Sequence, residues 1–278
     1  MSYQTIVAIL QSTEDVDRVM ACAVPMAEQN EGYIVGVHAD ALPLTYGSSI
    51  GFPDVEFMQA TADMNKDRAK QLESAFMTRL RASGRDGEWH AMQSFSGDAA
   101  LAGAMIARAA DLVIVAQRNP DAFSDEAANI DALLYESGRP VLVLPHAGAV
   151  THTYNRVLVA WNGSREAARA VFDALPLLIA AEETEVFVVD PPSETDDTQA
   201  GASQIAAALA RHGVRVTVAS EDLAGRSLDD AIQDRVTVTG ADLLVLGAYS
   251  HSWLRELLFG GVTRSVLQAT SVPTLISR

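Results

Sequence analysis

Two turns of small residues near the carboxyl end carry the clearest chemical signal in the chain. Gly247-Ala248-Tyr249-Ser250 and Gly260-Gly261-Val262-Thr263 enclose an amphipathic segment from Trp253 to Phe259. Glycines after a strand and before a helix leave backbone amides open to close approach, so such turns can receive phosphate oxygens, and Thr263 would add a hydroxyl. A plain glycine turn of an open α/β sheet has the same spacing, and spacing alone does not separate the two readings. Other templates fail. There is no G-x-x-x-x-G-K-[ST], and neither lysine, Lys66 or Lys70, lies near a glycine turn. No G-x-S-x-G elbow, H-E-x-x-H or paired-cysteine signature occurs either. His38 stands two residues before Asp40 at an expected strand end, where a hydrogen bond closing the ladder is favoured over a metal pair. His251, Arg255 and Glu256 are expected to face water, as is the acidic run Glu194 to Asp197.

The elements that would hold these turns repeat. Tyr3 to Leu10 matches Tyr154 to Trp161 at an offset of 151, and the helical pattern after each carries a proline, Pro25 and Pro176, at the same offset. An interior helix proline costs about 3 kcal/mol, so its recurrence favours duplication over chance. Ala110 to Ala116 matches Ala241 to Gly247, and Arg139 to Leu144 matches Val272 to Ser277. Within each copy, short β-branched runs alternate with longer stretches of helical period, the mark of βαβ units. The right-handed crossover rule then predicts an α/β fold of two tandem, doubly wound domains, each with five parallel strands in the order 3-2-1-4-5. The domains are set at 1–146 and 152–278, with a linker from Pro145 to Asn155. Strands are expected near 4–10, 33–38, 87–93, 111–116 and 140–144, and near 156–161, 185–189, 214–219, 242–247 and 273–277. Helices are expected near 61–83, 164–181, 199–212, 227–239 and 261–269, and 40–60 as a surface loop. The apolar last strands, 141–144 and 274–277, would be exposed edges if unpaired, so the two copies are expected to join there as an intrachain pseudo-dimer, with a homodimer of the whole chain through another surface as a further option.

Composition narrows the function. The 278 residues are 49% hydrophobic and 20% charged, enough for a sizeable core. Thirty-six acidic against 20 basic residues give −16, with the arginines spread singly, so nucleic acid is disfavoured as a partner. No apolar run approaches the ~20 residues of a membrane span, and no signal-type segment is seen, so no membrane partner is expected. The one cysteine, Cys22, falls on the apolar face of a helical pattern and reads as a buried, inert thiol of a reducing compartment, the cytoplasm.

A strand ending V-A-W-N-G-S (159–164), another ending V-V-D (188–190) and the closing G-A-Y-S…F-G-G-V-T-R-S-V…V-P together resemble the universal stress protein family, across both copies. The resemblance implies an adenine nucleotide alpha hydrolase-like fold and, in many members, ATP bound through G-x2-G-x9-G-[ST], which here falls on Gly247, Ser250, Gly260 and Gly261. Ser250 stands where the pattern has glycine, and Gly261 where it has a hydroxyl residue, for which Thr263 compensates in part. It further implies Ala160, Asn162 and Val188 on the nucleoside side, with Asn162 in place of the family's acid, and Val262 and Thr263 among the phosphate contacts. In the first copy Gln11 takes the acid's place, Ala116 that of Gly247, and Ala127 to Ile130 lack glycine, so that copy reads as a degenerate structural partner. With no positioned lysine, general base or carboxylate cluster, the expected role is regulatory binding of an adenine nucleotide or related ligand, ATP with or without Mg, rather than catalysis. A slow ATPase and an interaction protein with vestigial sites are the alternatives.

Overall fold

Apolar β-branched runs buried on both sides make the central strands of this chain. In the computed structural model, residues 2–42, 55–117, 128–190, 195–248 and 271–278 are described. The first half runs β1 (Thr5–Ile9), α1 (Thr13–Asn30), β2 (Tyr33–Ala41), α2 (Val55–Ser83), β3 (Gly87–Ser94), α3 (Ala99–Ala107), β4 (Leu112–Ala116), α4 (Ile130–Glu136) and β5 (Val141–Leu144). The second runs β6 (Arg156–Trp161), α5 (Arg165–Asp173), α6 (Leu175–Ala180), β7 (Glu183–Asp190), α7 (Thr195–Arg211), β8 (Val216–Asp222), α8 (Leu228–Thr239), β9 (Leu243–Gly247) and β10 (Thr274–Ser277).

All ten strands form one sheet in the order β3-β2-β1-β4-β5-β10-β9-β6-β7-β8. Each half therefore has the expected 3-2-1-4-5 order, and every pairing within a half is parallel. Successive side chains alternate between two cores. Ile6, Ala8, Val157, Val159 and Trp161 face α1, α2, α5, α6 and α7, while Val7, Ile9 and Leu158 face α3, α4 and α8. The outer edges, β3 and β8, mix half-buried and exposed positions and carry polar residues such as Glu88, Gln93, Thr217 and Glu221, which discourages edge-to-edge pairing.

The halves join through β5 and β10, paired antiparallel with Val141 opposite Ile276, Leu142 opposite Leu275 and Val143 opposite Thr274, all fully buried. The apolar edges expected from the sequence thus cover each other. Two tyrosines related by the repeat reinforce the seam. Tyr3 donates its hydroxyl to the Asp173 carbonyl at 2.7 Å, and the Tyr154 hydroxyl lies 3.9 Å from Cys22 Sγ. Each tyrosine reaches from one half into the first helix of the other. Burial pushes the Cys22 thiol up to about 12, in keeping with an inert cysteine.

Several boundaries differ from the sequence reading. Strand β2 continues to Ala41 and α2 begins at Val55, so both ends of the loop expected over 40–60 are strand and helix instead. The helix expected over 164–181 is two helices. Pro176 lies in the first turn of α6, where a missing N–H is tolerated, and Ala174 ends α5. In α1 the equivalent Pro25 sits inside a continuous 18-residue helix. Helix α7 starts at Thr195, so part of the acidic run is helical rather than loop. Ser227 caps α8 through the Asp230 amide at 3.2 Å, as expected. The helix expected over 261–269 lies outside the described residues.

Candidate functional site

Strand order reverses between β6 and β9, because the chain leaves β6 for β7 on one side and returns to β9 on the other. A crevice at the carboxyl ends of strands is the usual consequence, and ligands of open α/β sheets collect there. The register levels the ends: Ala160 lies opposite Phe187 on β7 and Leu246 on β9, and Trp161 opposite Val188. Ala160, Asn162, Val188 and Gly247 thus come from three adjacent strand ends, although they are up to 87 positions apart in sequence.

Each position has a local cause. Asn162 follows β6 directly, and its Oδ1 accepts the Ser164 amide at 3.1 Å, shaping the turn into α5. Ser164 then caps α5 by accepting the Ala167 amide, also at 3.1 Å. With Oδ1 engaged, the side chain's other polar group is the Nδ2 donor. Gly247 is glycine for packing: a Cβ there would overlap the Glu166 carbonyl carbon and the Ala167 amide nitrogen and lie 2.8 Å from Ala167 Cα. The first turn of α5 crosses the end of β9 directly, so this glycine serves the helix–strand contact as well as the turn after it. Gly247→Ala should therefore destabilise the ligand-free protein by about 2 kcal/mol through overpacking against rigid backbone, read by urea unfolding. Unchanged stability would show that α5 can shift.

Val188 is fully buried beside Trp161, on the face covered by α5 and α7. Its neighbour Val189 is only part-buried and packs with Ala160 in the opposite core. Trp161 Nε1 is buried without a hydrogen-bond partner, and Gly201 of α7 faces it, since a Cβ there would stand 3.6 Å away. Ser250, Gly260, Gly261, Val262 and Thr263, with the segment from Tyr249 to Phe259, lie outside the described residues.

The first half closes the equivalent crevice with its own side chains. Gln11 Nε2 donates to the Gly97 carbonyl at 2.7 Å, and the Gln11 amide donates to Asp15 at 3.0 Å. Gln117, which follows Ala116, accepts the His146 amide at 3.3 Å. His38 is bonded inside the sheet, its Nδ1 2.9 Å from the Leu10 carbonyl. Its Nε2 comes within 3.2 Å of Asp40 Oδ1 but out of line for a hydrogen bond. Arg68 holds Asp40 instead, with Nε at 3.0 Å. No group of three or more metal-binding side chains occurs among the described residues, and none of their helices is long and apolar enough to cross a membrane.

A sequence model described as "Universal stress protein family" matches residues 153–278. Residues 153–278 belong to the universal stress protein family. Universal stress protein Slr1230 of Synechocystis is 28% identical over 172 residues, 60% of this chain, and the chain spans only 58% of that relative's length. A universal stress protein of Archaeoglobus fulgidus superposes with a TM-score of 0.70 at 17% identity, covering 99% of this chain and 96% of its own. A functionally unknown protein of Pseudomonas aeruginosa gives 0.58 at 14% identity, covering 99% and 92%. At these identities the two structures speak for the fold, which they share along both halves. The two-half fold is therefore also found outside this chain.

Proposed function

We propose that this protein is a cytoplasmic stress-response protein that binds an adenine nucleotide, ATP with Mg, in its second half and uses it for regulation rather than turnover. The observation that supports this most is the convergence of Asn162 and Gly247 on the crevice where strand order reverses, beside the amino end of α5. Asn162 and Ala160 would meet the nucleoside. Gly247, Ser250, Gly260, Gly261, Val262 and Thr263 would meet the phosphates. The first unit, 1–146, would be the degenerate partner and 152–278 the binding unit. The closure of the first crevice by Gln11 supports that asymmetry. An uncharged Asn162 and a buried Val188 favour a weaker site than the family pattern implies, and they are also what a vestigial site would show.

Calorimetry with Mg-ATP tests the reading. Binding with a Kd on the order of 0.1 mM, about −5.5 kcal/mol, is expected, and Gly260→Leu should abolish it by crowding the phosphates. No heat at millimolar ATP would leave an interaction protein with vestigial sites.

A further inference from the structure

The arginines that lie singly in the sequence do not stay apart in the fold. At one end of the seam between the halves a cleft of about 450 Å3 opens, walled by Leu134 and Tyr135 of α4, Arg165, Glu166 and Arg169 of α5, and Arg278 after β10. We infer that this cleft binds a phosphate-bearing anion, its charge met by Arg165, Arg169 and Arg278 and its organic part by Leu134 and the Tyr135 ring. Cavities of this size hold small organic ligands.

Three guanidinium groups stand there against two carboxylates, Glu166 and the Asp173 that pairs with Arg169, on a chain whose overall charge is −16. The general field repels anions, so any attraction at this point has to come from these local groups. Glu166 is nearly buried and is engaged by Arg165 Nε, so its charge is largely offset at the wall. Arg165 is itself 83% exposed, and both its terminal nitrogens are without a partner among the described residues. Arg169 is anchored across the seam, with Nε on Asp173 at 3.0 Å and Nη2 on the Gly138 carbonyl at 3.1 Å. Arg278 lies over the Tyr135 ring at 4.0 Å, a cation–π contact that holds its guanidinium at the cleft. Planar forks match phosphate oxygens pairwise, and an aromatic face with an aliphatic neighbour suits the organic part of a phosphate ester. Neither half holds the cleft alone: Tyr135 and Gly138 come from the first and the arginines from the second. The cleft lies at the β5–β10 seam in the middle of the sheet, whereas the proposed nucleoside contacts, Ala160 and Asn162, lie at the end of β6; its arginine wall shares the first turn of α5 with Gly247, so nucleoside and phosphate are tested separately.

Calorimetric titration of the full chain with sodium pyrophosphate, at fixed ionic strength, is the test. Saturable binding is expected, with affinity falling at least tenfold in R165Q/R169Q and several-fold in R165K/R169K, which keeps the charge and loses the fork. Should R165Q/R169Q fail to fold by circular dichroism, R278Q gives the same comparison. No binding up to about 10 mM, or equal binding by the wild type and the glutamine variants, overturns the inference. Adenosine, which lacks phosphate, separates it from the nucleotide reading: adenosine binding without pyrophosphate binding sinks only the cleft, and the converse sinks only the nucleoside site. A loss of pyrophosphate binding in saturating ATP would identify the anion as the nucleotide's own phosphates, and undiminished binding a separate phosphate compound; the arginines hold it in either case.

Discussion

Leu142→Lys should destabilise the protein by about 4 kcal/mol or more, and Leu275→Lys by a similar amount. These two side chains face each other across the antiparallel β5–β10 contact, and both are fully buried. A lysine there loses the transfer energy of the leucine and places an ammonium among apolar neighbours with no carboxylate paired to it, a combination at the top of the range for single substitutions. At roughly 2–4 °C per kcal/mol for a chain of this size, the melting temperature should fall by about 10 °C. Limited proteolysis should then cut near Gly148, in the connection between the halves. The milder Leu142→Ala should cost about 2–5 kcal/mol as a cavity. Unchanged melting and protease resistance in the lysine variants would mean that the halves are held together elsewhere.

Stability should collapse steeply above pH 10. Burial raises the Tyr3 hydroxyl, the Cys22 thiol and the Tyr154 hydroxyl, and desolvation is the largest cause in each. All three sit at the seam. A group whose folded pKa is raised stabilises the fold below its unfolded pKa and loses that contribution as pH rises toward the folded value. For Cys22 the window runs from 9.0 to about 12, and for the tyrosines it opens near 10.0. Each group contributes about 1.4 kcal/mol per pH unit within its window, so the three together give a slope of about 4 kcal/mol per unit above pH 10. Against a total of about 5–15 kcal/mol, unfolding near pH 11–12 follows. Urea unfolding at pH 8, 10 and 11 measures the slope, and Tyr154→Phe should flatten it by about one third. A flat profile to pH 11 would show that these groups reach solvent.

Repetition was the most legible feature of the chain. The match of Tyr3 to Leu10 with Tyr154 to Trp161 placed two equivalent first strands, and the apolar last strands showed where the halves would meet, because a fully buried strand leaves no polar face. The break between α5 and α6 was less visible: the same proline sits within an unbroken α1, and only the packing around Ala174 decides whether the helix restarts. At the candidate site the limit was the two-residue period of a strand. Alignment to a motif selects Val188, but one step in register decides which core a side chain enters, and Val188 points to α5 and α7 while Val189 takes the other face. Gly247 read as a turn residue, and the crossing of α5 that requires it could not be seen from spacing. The arginine cleft was illegible for a related reason. Arg165 and Arg169 stand one turn apart on α5, but Leu134 and Tyr135 wall a cleft with them only because β5 and β10 pair, a contact between the ends of two halves.

The nucleotide reading is tested most directly by amide chemical-shift mapping of the full chain during titration with Mg-ATP. Saturating shifts should cluster at 160–164 and 246–248, with the turn residues through Thr263, while 8–12 and 116–117 of the first half stay in place. Shifts centred on the first half, or none at millimolar ATP, would contradict a nucleotide site in the second.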